Sequence, residues 1–213
     1  MAAVVEQQVL GPIGTNCYLV RPERGAGEAV VVDPSGDAPA IRLRLAEMGA
    51  RCVAILITHG HWDHLLAVAD LAEGTGAPVY MAEGERVLLE QPDGFSPVPL
   101  PAYTPDVLLQ GGETIDVAGL SFDVLSVPGH SPAHLAYATD GCLLAGDVLF
   151  AGSVGRTDLP GADWETLLDS IRTLVDGYPP ETVVYPGHGP ATTLGEELAR
   201  NPFLGELRSE RSA

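Results

Sequence analysis

The chain of 213 residues contains no lysine, so its 11 basic residues are all arginines, against 29 acidic ones. The formal net charge at pH 7 is −18. Proteins that bind nucleic acid through its phosphates need a basic surface, and this composition provides none. We therefore exclude nucleic acid as a partner and expect a small-molecule substrate.

Cysteine is scarce, and long hydrophobic runs are missing. The three cysteines, Cys17, Cys52 and Cys142, lie singly in apolar, strand-like segments, which argues against disulfides and against a thiolate metal site. No apolar run reaches the roughly 18 residues of a membrane span. The first residues lack the basic region and apolar core of a secretory signal. These features predict a cytoplasmic protein that does not contact the membrane.

A dense cluster of metal-ligand residues is the main positive feature. Residues 58–64 read Thr-His-Gly-His-Trp-Asp-His and directly follow the apolar run 52–57, which is predicted to be a buried strand. His59 and His61 are two residues apart, so they point to the same side of an extended segment. Imidazole and carboxylate groups suit zinc, iron or manganese. The cluster therefore predicts a divalent metal site.

Three further ligand-type residues lie at predicted strand ends. His130 and His188 each follow an apolar run and a Pro-Gly pair, and Asp147 follows the run Leu143–Gly146. Proline and glycine end a strand and let the backbone turn. Because sites in layered α/β folds are assembled at strand ends, we expect these residues to join the cluster.

The remaining pattern predicts several ordinary elements. Hairpin turns are expected at Ala118-Gly119 and Asp140-Gly141. Short helices are predicted over residues 65–71 and 83–90, a longer one over 164–175, and a last one over 193–200. The proline-rich segment 92–105 is interpreted as a surface loop, either a substrate wall near the site or a plain linker.

On these residues the chain resembles the metallo-β-lactamase superfamily, and within it the small glyoxalase II-like hydrolases. The matching stretches run in family order across nearly the whole chain: residues 11–19, 58–64, 129–134, 146–158 and 186–189. The resemblance implies an α/β fold with four αββα layers. The length suits a single domain over residues 1–213.

The resemblance also implies a ligand set for two divalent metal ions, with zinc favoured and iron or manganese as alternatives. The first ion would be bound by His59, His61 and His130, the second by Asp63, His64 and His188, and Asp147 would bridge both. Asp63 and Asp147 would also be catalytic. A metal-bridging hydroxide would attack a carbonyl, and a thiolate leaves readily because a thiol pKa is about 8.5. The expected reaction is hydrolysis of an acyl thioester, such as S-lactoylglutathione.

Two residues outside this ligand set are also candidates. Larger glyoxalase II enzymes have a basic residue near Arg156, so the resemblance implies that Arg156 binds a substrate carboxylate. A salt bridge with Asp158 that fixes the loop is the equal alternative. His134 either orients a metal ligand or serves the structure alone.

Other functions stay open at this point. A persulfide dioxygenase with mononuclear non-haem iron shares the Gly-Arg-Thr-Asp loop, and His59, His130 and Asp147 would bind its iron. Hydrolysis of a lactone or β-lactam, and a non-enzymatic metal-binding module, are further alternatives. Only 25 residues follow His188, so we expect no counterpart of the helical domain with which larger glyoxalase II enzymes grip glutathione. The thiol carrier, which could be mycothiol, and the oligomeric state are therefore open.

Overall fold

The computed structural model describes residues 3–211 and contains two six-stranded sheets. In the first sheet the strands follow chain order: β1 (Val4–Leu10), β2 (Thr15–Arg21), β3 (Glu28–Val32), β4 (Arg51–Leu56), β5 (Val79–Ala82) and β6 (Val107–Leu109). The first three strands are antiparallel, whereas β3 to β6 are parallel. Parallel pairing brings the carboxyl ends of β3, β4 and β5 to one edge.

The second sheet has the spatial order β14-β13-β10-β9-β8-β7. Its strands are β7 (Thr114–Val117), β8 (Leu120–Ser126), β9 (Leu135–Thr139), β10 (Cys142–Gly146), β13 (Val183–Pro186) and β14 (Thr192–Thr193). Only β10 and β13 are parallel in this sheet. The strands β11 (Leu149–Phe150) and β12 (Ser153–Val154) form a separate small hairpin.

Helices cover the outer faces of the sheets. They are α1 (Ala38–Glu47), α2 (Trp62–Leu65), α3 (Val68–Thr75), α4 (Val87–Glu90), α5 (Trp164–Gly177), α6 (Leu194–Arg200) and α7 (Gly205–Glu210). Asp163 caps α5, because its carboxylate accepts a hydrogen bond from the Thr166 amide at 2.8 Å. Within residues 3–211 no helix is long and apolar enough to cross a membrane.

Side chains along the buried strands alternate between the two faces of each sheet, and this alternation defines the layers. In β2, Cys17 and Leu19 pack on the side of α1 and α3, while Tyr18 and Val20 face the second sheet. In β10, Leu144 faces the first sheet, and its neighbours pack in the cluster that contains α5 and α6. Three core clusters therefore separate four layers, which confirms the predicted αββα sandwich.

Local predictions were mostly confirmed, with three differences. Both hairpin turns form, and their central residues have positive φ. The helix expected over 65–71 is divided into α2 and α3, because the Ala67 amide bonds to the Pro34 carbonyl at 2.9 Å instead of continuing the helix. Residues 83–90 likewise form a 3₁₀ turn before α4, and α7 follows the predicted last helix.

The proline-rich segment packs on the outer layer. Leu100 and Tyr103 lie against the core cluster that contains α1 and α3. The Tyr103 amide donates to the Leu89 carbonyl at 3.0 Å, and its hydroxyl contacts Asp106. These contacts attach the segment to the helical side of the first sheet.

Candidate metal centre

The seven predicted ligand residues come together where four strands end. His59 follows β4, His130 follows β8, Asp147 follows β10 and His188 follows β13. Their ligand atoms form three overlapping groups, each within 4.8 Å: His59, His61 and His130; Asp63, His64 and His188; and His59, His64 and Asp147. We call the first of these the three-histidine group and the second the aspartate group.

In the three-histidine group, ring nitrogens face one another. His61 Nδ1 lies 3.0 Å from His59 Nε2 and 2.8 Å from His130 Nε2. The carbonyl of Arg156 can only accept, so His130 must donate to it from Nδ1 at 2.9 Å and keeps a lone pair on Nε2.

The tautomer of His59 follows from the same reasoning. The Thr58 hydroxyl donates to Asp33 Oδ2 at 2.7 Å, so it accepts from His59 Nδ1 at 3.0 Å. His59 therefore also directs a lone pair from Nε2 into the group. One proton on His61 can bridge to only one of these lone pairs, whereas a cation satisfies them all.

The aspartate group pairs a carboxylate with two imidazoles. Asp63 Oδ2 lies 3.3 Å from His188 Nε2 and 3.4 Å from His64 Nε2, and it accepts a hydrogen bond from the Thr15 hydroxyl at 2.7 Å. On its other side His64 donates from Nδ1 to Asp33 Oδ2 at 2.9 Å. The buried Nε2 of His64 has no hydrogen-bond partner in the described part of the chain.

Asp147 lies between the two groups. Its Oδ2 is 3.6 Å from His130 Nε2 and 3.4 Å from His188 Nε2, and its Oδ1 is 3.4 Å from His64 Nε2. Oδ1 is buried and has no hydrogen-bond partner among residues 3–211. The backbone approaches closely here, because a Cβ on Gly187 would lie 2.0 Å from that oxygen. Two buried ligand atoms, His64 Nε2 and Asp147 Oδ1, thus lack a hydrogen-bond partner among residues 3–211, and this donor set would fit divalent cations.

Two members of the three-histidine group, His59 and His61, are held neutral by their surroundings. Burial, helped by His130 and His64, lowers the pKa of His61 to about 4. Burial also lowers the pKa of His59 well below its usual value, with the neighbouring His64 adding to the effect. Neutral imidazole is the form that binds a metal, so these side chains need to lose no proton.

The aspartate group has the opposite electrostatics. Hydrogen bonds to Asp147 and Asp63 raise the pKa of His188 to about 9. Burial alone would lower the pKa of His64, but the carboxylates of Asp147 and Asp33 outweigh it and raise that pKa well above its usual value. Burial would likewise raise the pKa of Asp147, yet His64 and His188 keep it well below the usual range. Without a metal, this group consists of charged pairs.

Asp33 is a member of the site that the sequence analysis missed. Its buried carboxylate accepts from the Thr58 amide at 2.8 Å, the Thr58 hydroxyl at 2.7 Å and His64 Nδ1 at 2.9 Å. It thereby orients ligands of both groups from behind. Asp33 follows β3, the parallel neighbour of β4, so the strand-end reasoning applied to Asp147 would have found it.

A second missed set of contacts holds the segment around His188. Asn16 donates from Nδ2 to the carbonyls of Pro186 at 2.8 Å and Gly189 at 2.9 Å. The Tyr18 hydroxyl donates to the Pro186 carbonyl at 2.6 Å. The backbone amide of Asn16 donates to the Gly187 carbonyl at 2.7 Å. The end of β13, in the second sheet, is thus attached to β2 of the first.

His134 lies behind the ligands and belongs to none of the groups. Its Nε2 accepts a hydrogen bond from the Asp147 amide at 3.1 Å. Its ring stacks on His59, with 4.6 Å between centroids and 17° between planes. The contacts favour the interpretation that His134 orients ligands.

Arg156 is exposed, and its guanidinium binds Asp158 through Nε at 2.6 Å and through a second nitrogen at 2.7 Å. This contact lowers the pKa of Asp158 to about 2. The structure therefore contains the loop salt bridge that was the alternative to substrate binding. The Arg156 carbonyl also reaches the site, since it accepts from His130.

The fold and the ligand geometry are compatible with a binuclear metal centre, and comparison with known proteins gives the family. The chain belongs to the metallo-β-lactamase superfamily, whose model matches residues 10–188. It is 36% identical to hydroxyacylglutathione hydrolase GloC of Haemophilus influenzae, over 89% of this chain and 92% of that protein.

Solved structures agree with this assignment. BLEG-1, a B3 metallo-β-lactamase, aligns with a TM-score of 0.89 and 38% identity, over 95% of this chain and 100% of that one. TTHA1623, crystallised in a di-iron-bound form, aligns with a TM-score of 0.80 and 42% identity, over 94% and 100%. ETHE1 from Myxococcus xanthus aligns with a TM-score of 0.76 and 26% identity, over 99% and 92%. The chain is thus a member of a metallo-hydrolase family with a His/Asp cluster compatible with two metals.

Proposed function

We propose that this protein is a metal-dependent hydrolase of acyl thioesters, acting on S-lactoylglutathione or the ester of a related low-molecular-weight thiol. The observation that carries the proposal is the convergence of both ligand groups on Asp147 in a chain similar to a hydroxyacylglutathione hydrolase. Zinc is the favoured metal, and the likeness to a di-iron protein supports iron as the alternative. The proposed location is the cytoplasm.

The residues of the site would have different roles in the proposed reaction. Bound divalent cations supply a hydroxide nucleophile at neutral pH and polarise the carbonyl of the substrate. Asp63 and Asp147 provide the negative charge that keeps two cations close, and Asp33 holds His64 in the tautomer that leaves Nε2 free. A thiolate is a good leaving group, so the site needs no separate general acid.

Substrate binding through Arg156 is part of the same proposal. A substrate carboxylate would exchange with Asp158, whose two oxygens now accept from Nε and one terminal nitrogen of the guanidinium. Arg156 would form the same bidentate contact with the substrate carboxylate as it now forms with Asp158. The affinity gained is therefore small, and specificity for the thiol carrier would depend on other contacts as well.

The test combines metal analysis with two assays. Protein purified without chelator and supplied with Zn²⁺ should contain close to two ions per chain and release thiol from S-lactoylglutathione or a mycothiol analogue. Chelation should abolish both. A stoichiometry of one, with full activity, would contradict the two-metal assignment.

The second candidate is a persulfide dioxygenase that uses one iron ion bound by His59, His130 and Asp147. The likeness to ETHE1 fits this alternative. Iron-loaded protein would then consume oxygen in the presence of glutathione persulfide. Oxygen uptake without thioester cleavage would overturn the hydrolase proposal and favour this one.

A further inference from the structure

Glu85 is a buried carboxylate outside the ligand set. It ends the 3₁₀ turn Glu83–Glu85 after β5 and is only 2% exposed. Because β5 is the parallel neighbour of β4, the turn lies beside the segment that carries His59 and His61. A buried carboxylate is costly unless its oxygens are hydrogen-bonded, so its partners indicate what it does.

The two oxygens of Glu85 bind two different loops. Oε2 accepts from the amide of Gly60, the residue between two ligands of the three-histidine group. Oε1 accepts from the Ser131 hydroxyl at 2.6 Å and from the Ala133 amide at 2.8 Å, in the loop that carries the third ligand, His130. One side chain therefore connects the loop after β4 in the first sheet with the loop after β8 in the second.

We infer that Glu85 is a positioning residue that sets the geometry of the three-histidine group, and hence its metal affinity, without touching the metal. The inference rests on the proposed two-metal site but not on the thioester reaction. None of these hydrogen bonds of Glu85 involves Asp63, His64 or His188. Its removal should therefore affect one metal position and spare the other.

Replacement by glutamine gives a sharp test. All three partners of Glu85 are donors, so both of its oxygens must accept. The glutamine amide has one accepting oxygen and one NH₂, and in either orientation the NH₂ faces a donor. Glu85→Gln keeps the shape, but the NH₂ must face a backbone amide that can only donate, that of Gly60 or that of Ala133, so one of the two loops loses a hydrogen bond.

Glu197 provides a matched control. It is 3% exposed and also accepts three hydrogen bonds, from the Gly152 amide, the Thr192 hydroxyl and Asn201 Nδ2. These contacts lie in the C-terminal part of the fold and involve no proposed ligand. Glu197→Gln should lower the thermal stability of the metal-free protein about as much as Glu85→Gln, but leave metal affinity unchanged.

The experiment measures Zn²⁺ affinity by competition with a chromophoric chelator in two backgrounds. His188→Ala leaves the three-histidine group intact, and His130→Ala leaves the aspartate group intact. Glu85→Gln should weaken binding about 10–100-fold in the first background, the usual cost of losing a residue that orients a ligand, and less than about threefold in the second. Melting curves of the metal-free variants measure stability separately.

Ser131→Ala keeps the inference testable if Glu85→Gln does not fold. It removes one bond to Oε1 and leaves the charge and the Ala133 bond in place. A smaller loss of affinity confined to the His188→Ala background is expected. Equal losses in both backgrounds, no loss, or an equal effect of Glu197→Gln would overturn the inference. Two ions in the wild-type protein would still support the metal site itself.

Discussion

The two ligand groups are neighbours but differ in charge before any metal binds. In the three-histidine group burial keeps His59 and His61 neutral, since it lowers the pKa of both rings. The aspartate group consists of charged pairs, in which carboxylates raise the pKa of His64 and His188. A cation displaces no proton from His59 and His61, whereas it must replace protons in the second group.

The residues that accept hydrogen bonds from the ligand histidines also differ in charge between the two groups. Neutral acceptors, the Thr58 hydroxyl and the Arg156 carbonyl, orient two rings of the three-histidine group. The Asp33 carboxylate orients His64 in the aspartate group. A carboxylate behind a ligand makes the imidazole more basic, which favours both a proton and a metal. We therefore expect protons to compete with the metal mainly in the aspartate group.

Asp147 joins the two halves, so its removal should have the largest effect. Asp147→Ala deletes the carboxylate that lies 3.4 Å from His64 and His188 and 3.6 Å from His130. We expect metal content to fall in both groups and thioesterase activity to fall by at least about 10²–10³-fold. Elemental analysis and thiol release measure these effects, and circular dichroism checks that the fold is retained. Wild-type metal content would show that Asp147 bridges nothing.

The pH dependence of metal affinity tests the comparison directly. In His130→Ala, which keeps the aspartate group, Zn²⁺ affinity should rise between pH 6 and pH 8, because His188 stays protonated up to its pKa of about 9. The rise should be about tenfold per pH unit for each proton displaced.

In His188→Ala, which keeps the three-histidine group, affinity should rise less steeply over the same range, because burial lowers the pKa of His59 and brings that of His61 to about 4. Chelator competition at pH 6, 7 and 8 measures both slopes. Equal slopes in the two variants would break the distinction between the groups.

Asp33→Asn should affect the aspartate group more than the three-histidine group. An asparagine keeps one accepting oxygen, which cannot serve the Thr58 donors and His64 together. We expect about 10–100-fold weaker Zn²⁺ binding in His130→Ala and a smaller loss in His188→Ala. Asp163→Asn is the control, since the side chain of this aspartate accepts only from Thr166 at the start of α5 and the substitution keeps its backbone amide. An effect of the control on metal affinity would show that the measurement reports stability instead.

The candidate ligands were predictable because they cluster in sequence or follow recognisable strand ends. The residues that hydrogen-bond to them from distant positions were not. His59, His61 and His64 share one segment, and the Pro-Gly-His and Gly-Asp patterns mark the remaining strand ends. Asp33 directly follows β3, a position that could have marked it, but its partners are 25 and 31 positions away and only the fold shows them. Glu85 lies among other glutamates of a short helical segment, and only the fold shows which one is buried.

The fold was predictable for a related reason. Strand period and turn chemistry are local, so β2, β10 and both hairpins follow from the sequence. The break between α2 and α3 depends on a backbone bond from Ala67 to Pro34, which a local pattern cannot show. Long-range hydrogen bonds thus account for this break in the fold and for the unpredicted partners of Asp33 and Glu85 in the site.

The smallest expected effect concerns Arg156 and Asp158, an exposed pair beside the site. If Arg156 binds a substrate carboxylate, Arg156→Ala should raise KM about two- to fivefold with little change in kcat, because binding far from the reacting bond is largely uniform. Asp158→Asn should then lower KM, because it frees the guanidinium. A thioester that lacks carboxylates is the control substrate, for which neither variant should change KM.

The sign of the Asp158→Asn effect separates the two interpretations of Arg156. If the pair only fixes the loop, both substitutions loosen the backbone at Arg156, whose carbonyl accepts from His130. Both variants would then lower kcat together for every thioester, charged or neutral, and would weaken the three-histidine group rather than the aspartate group. Opposite shifts in KM, limited to carboxylate substrates, can arise only if the guanidinium exchanges Asp158 for the substrate.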